Sequence, residues 1–449
     1  MYYNKQGTFL TVEEFKKIQK SFELKNEKKI QMKRMWMWWW MKMPDKIKHW
    51  ELTKDKKFVS IPPWLRWFWK FENKYPLPTN VDFPELVNPF QWNELDLKQD
   101  RAIEEMLKQD IWLLHASTGV WKTMITAKII KTLSLKTLIV VSWIELMNQM
   151  KKDLKEIFWK TFKTLSWTKT KQKWADDSII IANIDTLVKQ DNDFFEMFDL
   201  VILDEVDTYF SADRRREMIW KKLNMKYIYW LTWTIKVNYI PNKVFDIYFW
   251  PKTELIEKHF QPKIKKVMTD FTYQLDDMKK FHELKKALYT AEDRNNLIVR
   301  TVVNTLWNNK WIIFSEYINH AKLLKEKIEA KWIKCFMLIW EVKDTERQEI
   351  KKALIAYDWP CILIGSVKII WRGFSVPELS VWYLTTCEKF TSNIEQYVWR
   401  VIRLFPWKKE CRWFDFVDTW CKLLLNQSRS RSQTYKRTYP ESSIEFYKN

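Results

Sequence analysis

Four side chains in two short stretches are suited to phosphate and metal chemistry. HASTGVWKT has the layout of a phosphate-binding loop and ends with Lys122 and Thr123. LVILDEVD places Asp204 and Glu205 after an apolar run. Lysine suits the β- and γ-phosphates of a nucleotide, while a threonine hydroxyl and the first acid suit Mg²⁺. The second acid can orient and deprotonate an attacking water. Together the two stretches predict the hydrolysis of a nucleoside triphosphate such as ATP.

The loop departs from its usual pattern at two glycine slots. Ala116 stands at the first, and Trp121 stands directly before the lysine. Backbone N–H groups of such a loop approach phosphate closely, so an indole there would block the nucleotide. The residues expected to bind the nucleotide are Ser117, Thr118, Gly119, Val120, Trp121, Lys122 and Thr123.

The balance of tryptophan and glycine is unusual across the whole chain. The sequence has 30 Trp and 4 Gly. Together these 34 residues approach the usual glycine content of about 7%. One hypothesis is that most of the tryptophans are glycines encoded by UGA and translated as though UGA meant Trp. The alternative is a functional abundance of indoles, as in a carbohydrate-binding or membrane-interface protein.

Global properties narrow the class of partner. Lys and Arg number 77 against 56 Asp and Glu, giving a formal charge of +21, which favours a polyanion. A basic, lysine-rich proteome is the alternative explanation. The five cysteines lack C-x-x-C spacing and predict reduced thiols without a zinc site. A polar N-terminus, and no apolar run of about 20 residues, predict a cytoplasmic protein without a membrane segment.

Short apolar runs alternate with amphipathic segments, which predicts an α/β fold with parallel sheets. A second series of runs begins near residue 291, so the chain contains two such units in tandem. The runs expected to be strands are IWLLHA, TLIVVS, SIIIAN, LVILDE and YIYWLT in the first unit, and WIIFSE, KCFMLI, CILIGS and VWYLTT in the second.

Further motifs share their spacing with a known family. LDLKQDRAI contains Gln99, and LTWTI contains Thr232 and Thr234. EQYVWRVIRLFPWK resembles the Q-x-x-G-R-x-x-R element of that family. With the two acids, the set resembles superfamily 2 helicases of the DExD/H type, near phage recombination-repair helicases, the transcription-repair helicase and the helicase subunit of restriction enzymes. Such helicases have two tandem RecA-like domains.

The resemblance assigns expected roles. Gln99 would read the adenine edge, Thr232 and Thr234 would couple hydrolysis to strand movement, and Asp204 with Thr123 would hold Mg²⁺. Lys122 and Glu205 would act in catalysis. From the second domain, the expected contacts are Gln396 to the nucleotide and Arg400 and Arg403 as arginine fingers.

The resemblance also implies an order of domains. A small accessory or substrate-recognition region is expected over residues 1–90. The remaining divisions are the ATP-binding domain over 91–252, a linker over 253–290, the C-terminal helicase domain over 291–425 and a basic, solvated tail over 426–449.

A translocase must contact the nucleic-acid backbone rather than particular bases. The expected contacts are Ser142, Thr186 and Ser315, each of which has an alternative interpretation as a strand-end cap or turn residue. The resemblance favours DNA over RNA, in repair, recombination or restriction.

Three tryptophans occupy glycine slots of the family motifs, namely Trp121, Trp233 and Trp399. This placement supports the misread-codon hypothesis. If the indoles are real, the alternative is a nucleotide-dead, tryptophan-rich nucleic-acid binding protein. An RNA helicase is a further alternative.

Overall fold

The structure is a computed structural model that describes most of the chain. The described residues are 2–4, 7–18, 23–25, 46–48, 50–62, 72–78, 80–88, 94–117, 120–165, 177–206, 209, 221–232, 252–255, 261–274, 281–306, 310–339, 341–342, 344–365, 376, 378–387 and 408–447. The chain divides into two units, Met1–Glu257 and Lys258–Asn449.

A small sheet begins the first unit. Its elements are β1 (Tyr2–Asn4), β2 (Gly7–Thr11), α1 (Val12–Ile18), β3 (Glu23–Lys25), β4 (Lys46–Lys48), β5 (Glu51–Leu52), β6 (Phe58–Ile61) and β7 (Glu72–Asn73). The strand order is β5-β6-β2-β1-β7, and β3 pairs with β4 separately. Alternate residues such as Leu10, Val59 and Ile61 are buried in the same core as one face of the following parallel sheet. The accessory region is thus packed onto the parallel sheet of the first unit.

The rest of the first unit alternates helices and strands. They are α2 (Glu94–Met106), β8 (Ile111–Ala116), α3 (Lys122–Leu133), β9 (Thr137–Val141), α4 (Ile144–Phe158), β10 (Lys163–Leu165), β11 (Ile179–Asn183), α5 (Ile184–Leu187), α6 (Asn192–Glu196), β12 (Leu200–Leu203), β13 (Tyr227–Thr232) and β14 (Lys252–Leu255). Strands β8 to β14 form a parallel sheet of order β10-β11-β9-β12-β13-β8-β14. All residues of β9, β11 and β12 are buried, as expected for strands covered on both faces.

The second unit repeats this design. Its elements are β15 (Lys263–Thr269), α7 (Phe281–Thr290), α8 (Glu292–Thr305), β16 (Lys310–Phe314), α9 (Ile318–Glu329), β17 (Lys334–Leu338), α10 (Asp344–Ala356), β18 (Cys361–Gly365), β19 (Leu379–Leu384), β20 (Arg412–Asp418), α11 (Lys422–Thr438) and β21 (Ile444–Phe446). The strand order is β17-β18-β16-β19-β20-β15-β21, and every pairing is parallel. The two sheets confirm the predicted α/β fold class.

The structure differs from the expected linker over residues 253–290. Strand β14 lies at an edge of the first sheet, and β15 pairs with β20 inside the second. In β15 the buried residues Ile264, Val267 and Thr269 are separated by lysines and a methionine. Because lysines stand between the buried residues, this strand lacks the continuous apolar run that would have predicted a buried strand from the sequence.

The structure also differs from the expected solvated tail. Residues 422–438 form α11, and β21 pairs with β15. The inward face of α11 includes Ser428 and Arg431 as well as Leu424 and Tyr435, all buried. Because half of this buried set is polar, the sequence pattern lacks the apolar stripe by which an amphipathic helix is recognised.

A buried ion pair fixes α11 to the sheet. The guanidinium of Arg431 donates to both carboxylate oxygens of Asp415 in β20, with Nη2 to Oδ1 at 2.8 Å and Nε to Oδ2 at 3.2 Å. Tyr435 Oη donates to the same carboxylate at 3.2 Å. Asp415 is fully buried, so these donors take the place of water around its carboxylate.

Three tryptophans lie in the left-handed region of backbone conformation. Trp121, Trp159 and Trp332 have φ of 53°, 51° and 64°. Trp159 ends α4, and Trp332 follows α9 in a turn. Their indoles are 48%, 82% and 99% exposed, so packing does not explain the conformation. Such positions favour glycine, because a Cβ there costs about 1–2 kcal/mol.

The five cysteines are all buried, and none of them forms a disulfide. Burial raises the pKa of Cys335 to about 12 and that of Cys411 to about 11, which keeps both as thiols. Among the described helices, none is long and apolar enough to cross a membrane.

We expect Arg431→Met to destabilise the protein by about 3–5 kcal/mol, because it leaves the Asp415 carboxylate buried without its cation. Urea unfolding followed by circular dichroism measures the change. Arg429→Met is the matched control on the exposed side of the same helix, and it should change stability by no more than about 0.5 kcal/mol. Equal losses in the two variants would contradict the structural role of the pair.

Candidate active site

The site begins where β8 ends. Ser117 follows the strand and donates its backbone N–H to the carbonyl of Leu255 in β14 at 3.0 Å. Val120 is fully buried, and Gln99 of α2 donates its amide to the Val120 carbonyl at 2.7 Å. The other amide atom of Gln99, Oε1, is buried and has no described hydrogen-bond partner. The glutamine therefore supports the loop and keeps an acceptor available for a ligand.

Trp121 lies directly before the first residue of α3. Its φ and ψ are 53° and 60°, and its carbonyl accepts from Met124 N at 2.8 Å as the helix starts. Glycine adopts this conformation without strain. The predicted glycine slot is thus left-handed in the structure, and an indole projects from it.

Lys122 joins the loop to the two acids that follow β12. Its Nζ donates to Glu205 Oε1 at 2.9 Å and lies 3.7 Å from Asp204 Oδ1. Thr123 is partly exposed in the first turn of α3. The predicted lysine and acids therefore meet at one edge of the sheet, as the carboxyl ends of parallel strands should.

Burial raises the pKa of Asp204 to about 6, and the Glu205 carboxylate adds to this rise while Lys122 opposes it. The backbone N–H of Glu205 donates to Asp204 Oδ1 at 3.0 Å. Glu205 itself has a φ of 53°, in the left-handed region. A tight, strained turn therefore directs two neighbouring carboxylates towards one cation.

Tyr209 supports this turn and was not identified from the sequence. Its hydroxyl donates to the carbonyl of Val140 at 2.9 Å and also contacts the carbonyl of Asp204. The side chain is fully buried. An aromatic residue five positions after the first acid was the available signal, but it does not distinguish a supporting hydroxyl from core packing.

The described residues fit ATP and a divalent metal. Lys122 supplies a cation, Asp204 and Thr123 supply oxygen ligands of the type that Mg²⁺ prefers, and Gln99 keeps its buried acceptor. Among the described residues, at this site as elsewhere, no three or more His, Cys, Asp or Glu side chains are grouped to hold a metal. The fit to a metal at this site therefore rests on Asp204 together with the Thr123 hydroxyl.

The strand-end hydroxyls of the first unit also lie at this edge. Ser142 follows β9 and Thr186 lies in α5, which follows the neighbouring strand β11. Both hydroxyls are buried and have no described hydrogen-bond partner. Asn183 links the two segments by donating to the Ser142 carbonyl at 3.1 Å. Thr232, predicted to couple, is fully buried at the end of β13.

Ser315 in the second unit has a different environment. Its hydroxyl lies 2.8 Å from His320 Nδ1, and His320 Nε2 lies 3.1 Å from Asn295 Oδ1. Asn295 in turn donates to the carbonyl of Tyr289 at 3.0 Å. No pattern in the sequence indicated this buried network. Its nucleic-acid contact through Ser315 stays a prediction.

Several predicted site residues lie outside the described part of the chain. They are Thr118, Gly119, Thr234, Gln396, Arg400 and Arg403. Their roles therefore stay predictions from the sequence.

Comparisons with known proteins give one family match and one viral relative. Residues 93–237 match the family described as "Type III restriction enzyme, res subunit". Protein 161L of Invertebrate iridescent virus 6, whose name proposes a helicase, is 24% identical over 393 residues, covering 80% of this chain and 85% of the viral protein.

Solved structures share the fold. The structure of S. cerevisiae Dbp5 bound to RNA and ADP BeF3 has a TM-score of 0.53 at 14% identity, covering 78% of this chain and 88% of Dbp5. T4 UvsW aligns over 100% of this chain and 99% of its own at 15% identity, but its TM-score of 0.40 is too low to support a common arrangement. The two sheets are those of tandem RecA-like domains. Together, motifs, fold and matches support a superfamily 2 helicase of the DExD/H type.

We expect Asp204→Asn to remove a pH dependence of stability. Because the pKa of Asp204 is higher in the folded than in the unfolded protein, the folded state binds the proton more tightly. The free energy of unfolding of the metal-free protein should therefore fall as pH rises from about 4 to about 6. Urea unfolding at four pH values in this range measures it for both proteins. A difference between them that does not change with pH would contradict the raised pKa.

Proposed function

We propose that this protein hydrolyses ATP to move along nucleic acid, and that its substrate is DNA. The observation that carries the proposal is the cluster of Lys122, Asp204 and Glu205, in which the ammonium of Lys122 lies within 4 Å of an oxygen of each acid at the edge of the sheet. A cation and two carboxylates at that edge suit phosphate and metal binding.

Lys122 changes partner in the proposed reaction. In the structure its ammonium pairs with Glu205. Phosphate oxygens would take over this ammonium, which frees the Glu205 carboxylate to orient the attacking water and accept its proton. The ion pair therefore keeps the general base and the phosphate ligand beside each other before ATP binds.

The metal ligands are Asp204 and Thr123 in this proposal. Mg²⁺ supplies charge neutralisation on the phosphates when bound. Asp204 binds a cation as the carboxylate, so its raised pKa favours ligation above about pH 6.

Residues of the loop and of the second domain complete the proposed site. The backbone from Ser117 to Trp121 surrounds the phosphates, and Gln99 reads the adenine edge. From the second domain, Gln396 contacts the nucleotide, and Arg400 and Arg403 stabilise charge on the transferred phosphoryl group. Thr232 and Thr234 couple hydrolysis to movement.

Hydroxyls at strand ends contact the nucleic-acid backbone in the proposal. Ser142 and Thr186 are the candidates in the first unit, because they follow the neighbouring strands β9 and β11 at the edge of the sheet where the active-site residues lie. Ser315 is the corresponding candidate in the second unit. The family match to a restriction-enzyme subunit supports DNA, whereas the RNA in the Dbp5 structure supports the alternative of an RNA helicase.

We further propose that Trp121, Trp159 and Trp332 are glycines in the native protein. Each has a left-handed backbone that glycine adopts without strain, and each carries an exposed indole. Two buried indoles support the same proposal, because the N–H groups of Trp311 and Trp382 have no described hydrogen-bond partner. If the indoles are native, a nucleotide-dead binding protein is the second candidate function.

Replacing Trp121, Trp233 and Trp399 by Gly should give a protein whose ATP hydrolysis is stimulated by nucleic acid. Single-stranded DNA and RNA of one sequence, assayed in parallel by phosphate release, decide between the two substrates. Adding Lys122→Ala should lower kcat by about 100-fold or more, because the phosphates lose their cation. Hydrolysis that neither polymer stimulates would refute the helicase proposal.

Peptide mass spectrometry of the native protein should show glycine at position 121. The informative peptides lie within residues 109–128, and those containing positions 159 and 332 provide two independent checks. Trp112 lies in the same region and donates its indole N–H to Thr253 at 2.9 Å, so its identity shows whether a bonded indole is native. A tryptophan mass at 121 would support the nucleotide-dead alternative.

A further inference from the structure

Helix α11 has a basic exposed face that the active site does not use. Among its 17 residues are five Lys or Arg and no Asp or Glu. Its exposed residues lie on the side opposite the buried set: Lys422, Asn426, Arg429, Gln433, Lys436 and Arg437. These six residues form the basic face of α11.

Cations on this face repeat at a regular interval. Lys422, Arg429 and Lys436 are seven residues apart, which is nearly two helical turns. Their Cα atoms therefore lie about 10.5 Å apart in a row about 21 Å long. A straight row of this kind can contact a regular series of anionic groups.

The outer cations differ from the inner one in their counter-charges. Arg431 is neutralised by Asp415 beneath the helix. Lys422, Arg429 and Lys436 form no ion pair with a described residue. The inward charge is therefore balanced within the fold, whereas the three outward charges have no acidic partner in the part of the chain that the structure describes.

Helix stability does not account for this distribution. Lys436 and Arg437 in the last turn are favourable with the helix dipole, but Lys422 is the first helical residue, where a cation is unfavourable. The first turn has no acidic residue, and the helix has no acidic partner for an i,i+4 pair. The positive charge of this face is therefore not explained by the stability of the helix.

The chemistry of the face indicates its ligand. Its side chains are cationic or amide donors, which suit phosphate oxygens. Binding sites for single strands combine cations with aromatic rings that stack on bases, and the basic face contains no aromatic residue. The phosphate backbone of a duplex, whose bases are already stacked, is the better match.

We propose that the basic face of α11 binds the phosphate backbone of duplex nucleic acid. The inference rests on the proposed function, because duplex nucleic acid is the substrate of a protein that moves along one strand and separates it from the other. Lys422 follows the carboxyl end of β20, so the row of cations starts at the edge of the second sheet to which β16 and Ser315 also lead. Backbone contacts of this kind are independent of base sequence.

The test compares two triple variants of the full chain that lose the same charge. Lys422→Gln, Arg429→Gln and Lys436→Gln remove the row. Lys286→Gln, Lys331→Gln and Lys352→Gln remove three exposed lysines from other helices and turns of the same unit. Fluorescence anisotropy measures binding to a blunt duplex and to a single strand of equal length, without ATP, over a series of salt concentrations.

We expect the α11 variant to bind the duplex about tenfold more weakly, with a salt slope reduced by about 2 to 3, because each lost phosphate contact lowers the slope by about 0.9. The control should bind within about twofold of the original. Lys422→Arg with Lys436→Arg keeps the charge and should keep the affinity. Circular dichroism melting checks that α11 remains folded, as expected for exposed positions.

The remaining outcomes separate this inference from the proposed function. Equal affinities in the two triple variants would overturn the basic face while leaving the helicase proposal intact. A loss confined to the single strand, or equal on both probes, would overturn the choice of duplex. An original protein that binds neither probe at any salt concentration would overturn both proposals.

Discussion

The contact between the ammonium of Lys122 and the carboxylates of Asp204 and Glu205 is the interaction on which the site depends. Lys122 begins the helix after β8, whereas the acids follow β12, and β13 lies between these two strands in the sheet. Only a parallel sheet with crossover helices brings such residues to one edge. The buried strands and the helices that cover them can therefore be understood as the support for this contact.

The charges of Lys122, Asp204 and Glu205 favour the binding of a ligand more than the stability of the fold. Two neighbouring carboxylates repel each other, and burial penalises their charge, which the raised pKa of Asp204 reflects. One ammonium offsets part of this penalty. A ligand that has both anionic and cationic groups can pair with the Lys122 ammonium and with both carboxylates at once.

Much of the first unit was predictable because its chemistry follows local rules. The apolar run IWLLHA is β8, TLIVV is β9 and YIYWLT is β13, since strands buried on both faces are continuously apolar. Strand β15 and helix α11 were not predictable in the same way. In β15 lysines separate the buried residues, and in α11 the buried face contains Arg431, whose partner Asp415 lies on a different element. Polar burial depends on tertiary partners that a single stretch does not reveal.

The environment of Ser315 has a consequence for how the second unit responds to pH. Asn295 donates its amide to a backbone carbonyl, so its oxygen accepts from His320 Nε2, and Nδ1 is left to accept the Ser315 hydroxyl. Burial, with a contribution from Arg294, lowers the pKa of His320 to about 3. The imidazole therefore stays neutral throughout the physiological range. The Ser315 hydroxyl at this strand end therefore has two acceptors across that range, His320 Nδ1 at 2.8 Å and the Tyr317 carbonyl at 3.1 Å, and the histidine acts as a hydrogen-bond acceptor rather than a proton switch.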